Sequence, residues 1–109
     1  MSDEQQEITP AELAAAKVAD PSIQLVDVRE PWEVAIVALP DAIVLPLRSL
    51  PDLTDAIDPE LPVVVYCHHG TRSEQARAYL AANGWPDARN LTGGIDAYAR
   101  DVDPSLPRY

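Results

Sequence analysis

The sequence predicts an α/β domain with a mostly parallel sheet and helices on both faces. Three observations carry that expectation. Ile23 to Val28 and Val63 to Tyr66 are short, nearly unbroken apolar runs, the composition of strands buried on both faces. Helical patterns alternate with these runs along the chain. Eleven prolines and four glycines divide the 109 residues into units short enough to be single strands and helices.

The first helix opens at Thr9-Pro10-Ala11-Glu12, with Thr9 as N-cap, Pro10 at the first helical position and Glu12 completing a capping box. Leu13, Ala14 and Val18 fall on one arc, and Asp20-Pro21 ends it. The strand from Ile23 to Val28 follows, interrupted only by Gln24 and Asp27. Pro31 to Ala35 reads as one helical turn, Ile43 to Leu45 as a short strand closed by Pro46, and Arg48 to Ile57 as one or two short helices broken at Pro51. Val63 to Tyr66 is the clearest strand, with three consecutive β-branched residues. Ser73 to Asn83 is the clearest helix: Ala76, Tyr79 and Leu80 share a face, and Glu74 and Arg77 are placed to pair on the exposed side. Gly84 suits a left-handed ending that folds Trp85 back onto Leu80. Arg89 to Leu91 is a further short strand, Gly93-Gly94 a turn and Ile95 to Arg100 the last helix. Asp101 to Tyr109, with two prolines, is expected to run over the surface.

A mass of 11.9 kDa and 47% hydrophobic residues fit one globular domain spanning residues 1–109. Eight Lys and Arg face eighteen Asp and Glu, a net charge of −10, which argues against binding nucleic acid or an anionic membrane through the overall field. No apolar stretch approaches a membrane span. The opening residues are acidic, the wrong charge for a targeting peptide, so a cytoplasmic location is expected. The single cysteine, Cys67, excludes an internal disulfide framework and a multi-cysteine zinc cage.

In open parallel sheets ligands bind at the carboxyl ends of the strands. Cys67-His68-His69-Gly70-Thr71-Arg72-Ser73 occupies that place after the clearest strand and leads into the clearest helix. The loop amides and the helix N-terminus are expected to point at the sulfur and stabilise a thiolate. Arg72 adds a permanent cation, and His68 and His69 add charge when protonated. Such electropositive, partly exposed surroundings are where reactive thiolates occur. A lone cysteine is more often a small buried hydrophobe, but its place after the strand, Gly70, Arg72 and the following helix weigh for catalysis. Cys67, His68 and His69 are adjacent, whereas zinc ligands are usually spaced, so no metal is expected.

These residues resemble the single-domain rhodaneses, the thiosulfate sulfurtransferase family, in four places in order. They are Ile8-Thr9-Pro10-Ala11-Glu12-Leu13, Val26-Asp27-Val28-Arg29-Glu30-Pro31-Trp32-Glu33, Cys67-x-x-Gly70-x-Arg72-Ser73 and Asn90-Leu91-Thr92-Gly93-Gly94-Ile95. The resemblance implies a five-stranded sheet flanked by helices and a persulfide formed on Cys67. It also implies sulfur transfer from a small anionic donor to a thiol, cyanide or protein acceptor, with no cofactor. It places His68, His69, Gly70, Thr71, Arg72 and Ser73 around the persulfide. Asp27, at the end of its strand, is expected to lie beside the loop and orient it, and Arg29 to reach Glu33 and brace that corner. Trp32 fits the core, the rim or a substrate contact equally well. The chain departs from the family at Val37-Ala38-Leu39-Pro40-Asp41-Ala42, where many members have Gly-His-Ile-Pro-Gly-Ala, and at Tyr98, where Trp is usual.

Two other functions compete. Phosphatases and arsenate reductases on this fold have five residues between Cys and Arg; here there are four, His68 to Thr71, a loop sized for one sulfur. A sulfur-relay module with little turnover is the other. The ending, Val102-Asp103-Pro104-Ser105-Leu106-Pro107-Arg108-Tyr109, resembles that of rhodanese domains fused to ubiquitin-activating-like enzymes of cofactor sulfuration.

Overall fold

The computed structural model describes residues 6–109; the acidic residues 1–5 lie outside them. Five parallel strands form one sheet: β1 (Glu7–Ile8), β2 (Gln24–Asp27), β3 (Ile43–Val44), β4 (Val63–Tyr66) and β5 (Arg89–Leu91), in the order β1-β5-β4-β2-β3. The helices are α1 (Pro10–Ala19), α2 (Pro31–Ile36), α3 (Leu50–Leu53), α4 (Thr71–Ala82) and α5 (Gly94–Asp101). β4 sits at the centre, with Val26 level with Val65 on one side and Asn90 level with Val65 on the other.

The alternation of side chains along β4 divides the core into two layers. Val63, Val65 and Cys67 pack with Leu50 of α3 and with Ala76 and Leu80 of α4. Val64 and Tyr66 face the other way, with Leu13 of α1 and Ile95 of α5. A strand covered on both faces has no polar side to present, which explains the unbroken apolar run. The Thr9 capping box forms as expected. So does the ending of α4: Gly84 takes φ +119°, and the Trp85 amide donates to the Leu80 carbonyl at 2.9 Å.

Three expectations are corrected. Val18 is 85% exposed, because α1 meets the core through Pro10, Leu13 and Ala16 on the opposite side. α4 starts at Thr71 rather than Ser73, since Gly70 at φ +111° turns the chain into the helix two residues sooner. The Glu74–Arg77 pair forms, but Arg77 is buried. The ending runs over the surface as expected, with Leu106 and Tyr109 half-buried against the α1–α5 layer. β1, two residues with no apolar run, is a strand only because Glu7 and Ile8 pair with Asn90 and Leu91. Among the described residues no helix is long and apolar enough to cross a membrane.

The carboxyl ends of β2, β4 and β5 bring Asp27, Cys67 and Gly93-Gly94 to one edge. There the first amides of α5 cap the loop after β4: Ile95 donates to the Cys67 carbonyl at 2.9 Å and Asp96 to the His68 carbonyl at 3.1 Å. That approach requires glycine at 94, where φ is +65° and a Cβ would run into the carbonyls of Cys67 and His68. Gly84 also has positive φ but open space around it. Gly84→Ala should therefore cost only the backbone penalty of about 1–2 kcal/mol. Gly94→Ala should cost clearly more than that in chemical denaturation, and equal losses would show that the α5–loop contact carries no constraint.

Candidate active site

Cys67 follows β4 directly and belongs to the α3–α4 core layer, only 1% exposed. The partly exposed thiol expected from the sequence is thus a buried one. Its Sγ accepts hydrogen bonds from the backbone N–H of Gly70 at 3.1 Å and of Ser73 at 3.4 Å. The Ser73 hydroxyl reaches Sγ at 3.3 Å and Asn90 Oδ1 at 2.5 Å. It has one proton, so it donates to one of them at a time. Asn90 also donates to the Gly70 carbonyl at 3.2 Å and to Glu7 at 3.1 Å, tying the loop to β1 and β5.

Among the predicted site residues, Gly70 and Ser73 therefore touch the sulfur. Thr71 is exposed in the first turn of α4. Arg72 does not donate to the sulfur or to backbone carbonyls; both its terminal nitrogens grip the Glu33 carboxylate, at 2.6 and 2.8 Å. That carboxylate is nearly buried and is held down at a pKa of about 2, below its ordinary 4.5, chiefly by the Arg72 hydrogen bonds. It also accepts from the Glu30 amide and the Tyr109 hydroxyl, both at 2.9 Å.

Asp27 lies at the expected strand end but does not touch the loop. It is fully buried and takes two hydrogen bonds from the Arg29 side chain, at 2.9 and 2.7 Å. Arg29 is fully buried as well, and reaches only the Glu33 backbone carbonyl, at 3.4 Å, not its carboxylate. Its remaining hydrogen bonds go to the Val37 carbonyl and the Tyr109 hydroxyl. Burial opposes the charge, but the hydrogen bonds to Asp27 and Tyr109 outweigh it and raise the guanidinium's pKa. The segment where the family has Gly-His-Ile-Pro-Gly-Ala thus supplies the Val37 carbonyl to this cluster. Asp41 stands at its second glycine with φ +62°, a conformation Asp tolerates.

The rim is aromatic. The Tyr109 ring stacks on His68, 3.8 Å between centroids and 6° between planes, and Trp32, exposed, meets Tyr109 edge-on at 6.1 Å. Burial, then the neighbouring His69, pushes the His68 pKa down. Tyr109 was missed because nothing in a proline-rich ending signals a contact with residues some eighty positions earlier. His68, His69 and Asp96 bring ligand atoms within 4.8 Å of one another. However, the two imidazoles are stacked at 3.9 Å, so their in-plane lone pairs run side by side rather than converging, and Arg108 already holds Asp96 at 2.9 Å.

Residues 9–101 match the rhodanese-like domain family. The chain belongs to this rhodanese-like family. It is 43% identical over 102 residues to the rhodanese-like/PpiC domain-containing protein 12, chloroplastic, of Arabidopsis thaliana, covering 86% of this chain. The match spans about a third, 34%, of that longer protein. It is 33% identical over 105 residues to the thiosulfate sulfurtransferase GlpE of Pseudomonas aeruginosa, covering 96% of this chain and 93% of that one. A crystal structure of a rhodanese-like domain protein from Staphylococcus aureus superposes with a TM-score of 0.82 at 32% identity, covering 95% and 98% of the two chains. The five-stranded parallel sheet flanked by helices is the rhodanese fold, and the family is one of sulfurtransferases.

Two outcomes test the buried charges of this rhodanese. Arg29→Met should cost about 3–5 kcal/mol, because Asp27 is left buried without its partner; urea melts of the two proteins read this directly. For the second, Glu33 has a lowered pKa, so its pairing stabilises fully above pH 4.5 and is lost as pH falls towards 2. The stability gap between wild type and Glu33→Gln should accordingly close over that acid range, and a gap independent of pH would refute the pairing.

Proposed function

We propose that this rhodanese is an active sulfurtransferase in which Cys67 carries the sulfur as a persulfide. The observation that supports this best is the enclosure of Sγ at the end of β4 by the Gly70 and Ser73 amides. Two N–H donors aimed at one atom stabilise negative charge on it, both on the attacking thiolate and on the product Cys67–S–S⁻. In the first half-reaction the thiolate attacks the outer, sulfane sulfur of thiosulfate or of a persulfide. The new S–S bond forms as the donor's own bond breaks, and sulfite or a thiolate leaves with the electron pair. In the second, a thiol, cyanide or a protein nucleophile attacks the terminal sulfur and Cys67 leaves as thiolate. The Ser73 hydroxyl, shared between Sγ and Asn90, turns its proton to the sulfur as charge develops there. No step needs a metal or an organic cofactor. Glu33 holding Arg72 fixes the first turn of α4, and with it the Ser73 amide.

The protein incubated with a sulfane-sulfur donor should gain the mass of one sulfur on Cys67, and cyanide should remove it. Cys67→Ser should neither load nor release thiocyanate. Loading that persists in that variant would sink the assignment, and efficient hydrolysis of aryl phosphates by the unmodified protein would favour the phosphatase reading instead. Exhaustive chelation should leave the loading rate unchanged.

A further inference from the structure

Every arginine around the sulfur is already committed to a carboxylate. Arg72 is gripped by Glu33, Arg48 on the neighbouring rim by Glu30 at 3.1 Å, and Arg108 by Asp96 at 2.9 Å. His69 faces the same Asp96 at 3.8 Å, and the buried Arg29 is spent on Asp27. Among the described residues, no arginine or lysine at this edge is left to meet a sulfonate. Lys17, the one lysine, is bound to the Pro21 and Ile23 carbonyls at the end of α1. The surrounding molecule carries a net charge of −10. The sequence led to the opposite expectation, that Arg72 makes the site locally positive for an anionic donor.

The burial of Sγ adds a steric condition. Thiosulfate carries its sulfane sulfur on a tetrahedral group of three charged oxygens. A persulfide carries it at the end of a thin chain, with a single carbon-bound sulfur behind it. A sulfur only 1% exposed is reached more readily by the thinner, less charged end. The two loop amides that reach Sγ are both spent on that one atom.

Resting on the sulfurtransferase reading above, we infer that the donor of this site is a persulfide, R–S–S–H, rather than the thiosulfate dianion. The step balances without an added oxidant or reductant: Cys67–S⁻ plus R–S–S–H gives Cys67–S–S–H plus R–S⁻. One S–S bond forms, one breaks, and the departing thiolate takes the electron pair.

The test is stopped-flow or quenched loading of the full chain, read by intact mass, with three probes: cysteine persulfide, a short uncharged peptide bearing a cysteine persulfide, and thiosulfate. Both persulfides should load Cys67 with a second-order rate constant at least about tenfold above that of thiosulfate, given two negative charges brought to a site without a free cation. A faster reaction with the peptide than with free cysteine persulfide would assign the donor to proteins, and the reverse to small thiols. Raising ionic strength should speed loading by thiosulfate by roughly threefold and loading by the peptide persulfide by clearly less, because a dianion is repelled more strongly than a group carrying at most one negative charge. Glu33→Gln frees Arg72, and Asp96→Asn independently frees Arg108. Each should raise the ratio of thiosulfate to persulfide rate constants. Thiosulfate loading as fast as persulfide loading, or a ratio unmoved by salt and by both variants, overturns the inference while leaving the sulfurtransferase reading intact. Failure of all three probes to load Cys67 overturns both.

Discussion

A fully buried guanidinium is tolerated only where its donors all find acceptors and its charge finds an opposite charge. Arg29 meets that demand with Asp27 at the end of β2, the Val37 and Glu33 carbonyls at the far end of α2, and the Tyr109 hydroxyl. Three separate pieces of chain thus converge on one cation. Because α2 is held from both its ends, Glu33 is presented to Arg72, and the start of α4 is fixed against the rest of the domain. The position of the Ser73 amide under the sulfur follows from that chain of contacts.

The sulfur itself is surrounded by a different kind of group. Its hydrogen-bond donors are mainly backbone amides, set in place by the turn at Gly70, and the loop carbonyls are capped by α5 across Gly94. Amides bring partial positive charge without a mobile side chain, and they keep it close to a single atom. The full charges of the site stand a step further out and cancel in pairs. This division places partial positive charge at the sulfur without drawing a cation away from the framework.

Strand β4, helix α4, the capping box of α1, the left-handed ending at Gly84 and the place of Cys67 at the end of β4 were legible in the sequence, since each depends on residues within one turn or one strand. Hydrophobic period, capping residues and glycine positions are local signals, and the α/β architecture follows from their order. The partners of the charged residues around the sulfur were not legible. Arg72 and Glu33 lie 39 positions apart, and Tyr109 reaches Glu33 across 76. A bracing role for Arg29 was legible, but the burial of Arg29 and Glu33 was not, because burial is set by what packs over a segment from elsewhere in the chain. β1 escaped notice for the same reason: two residues have no period, and only the open edge of β5 makes them a strand. The sequence by itself determined where the single cysteine stands and which backbone turn surrounds it. Only the tertiary structure decided which charges remain free to meet a substrate, because ion pairing depends on distances between segments that no local pattern encodes.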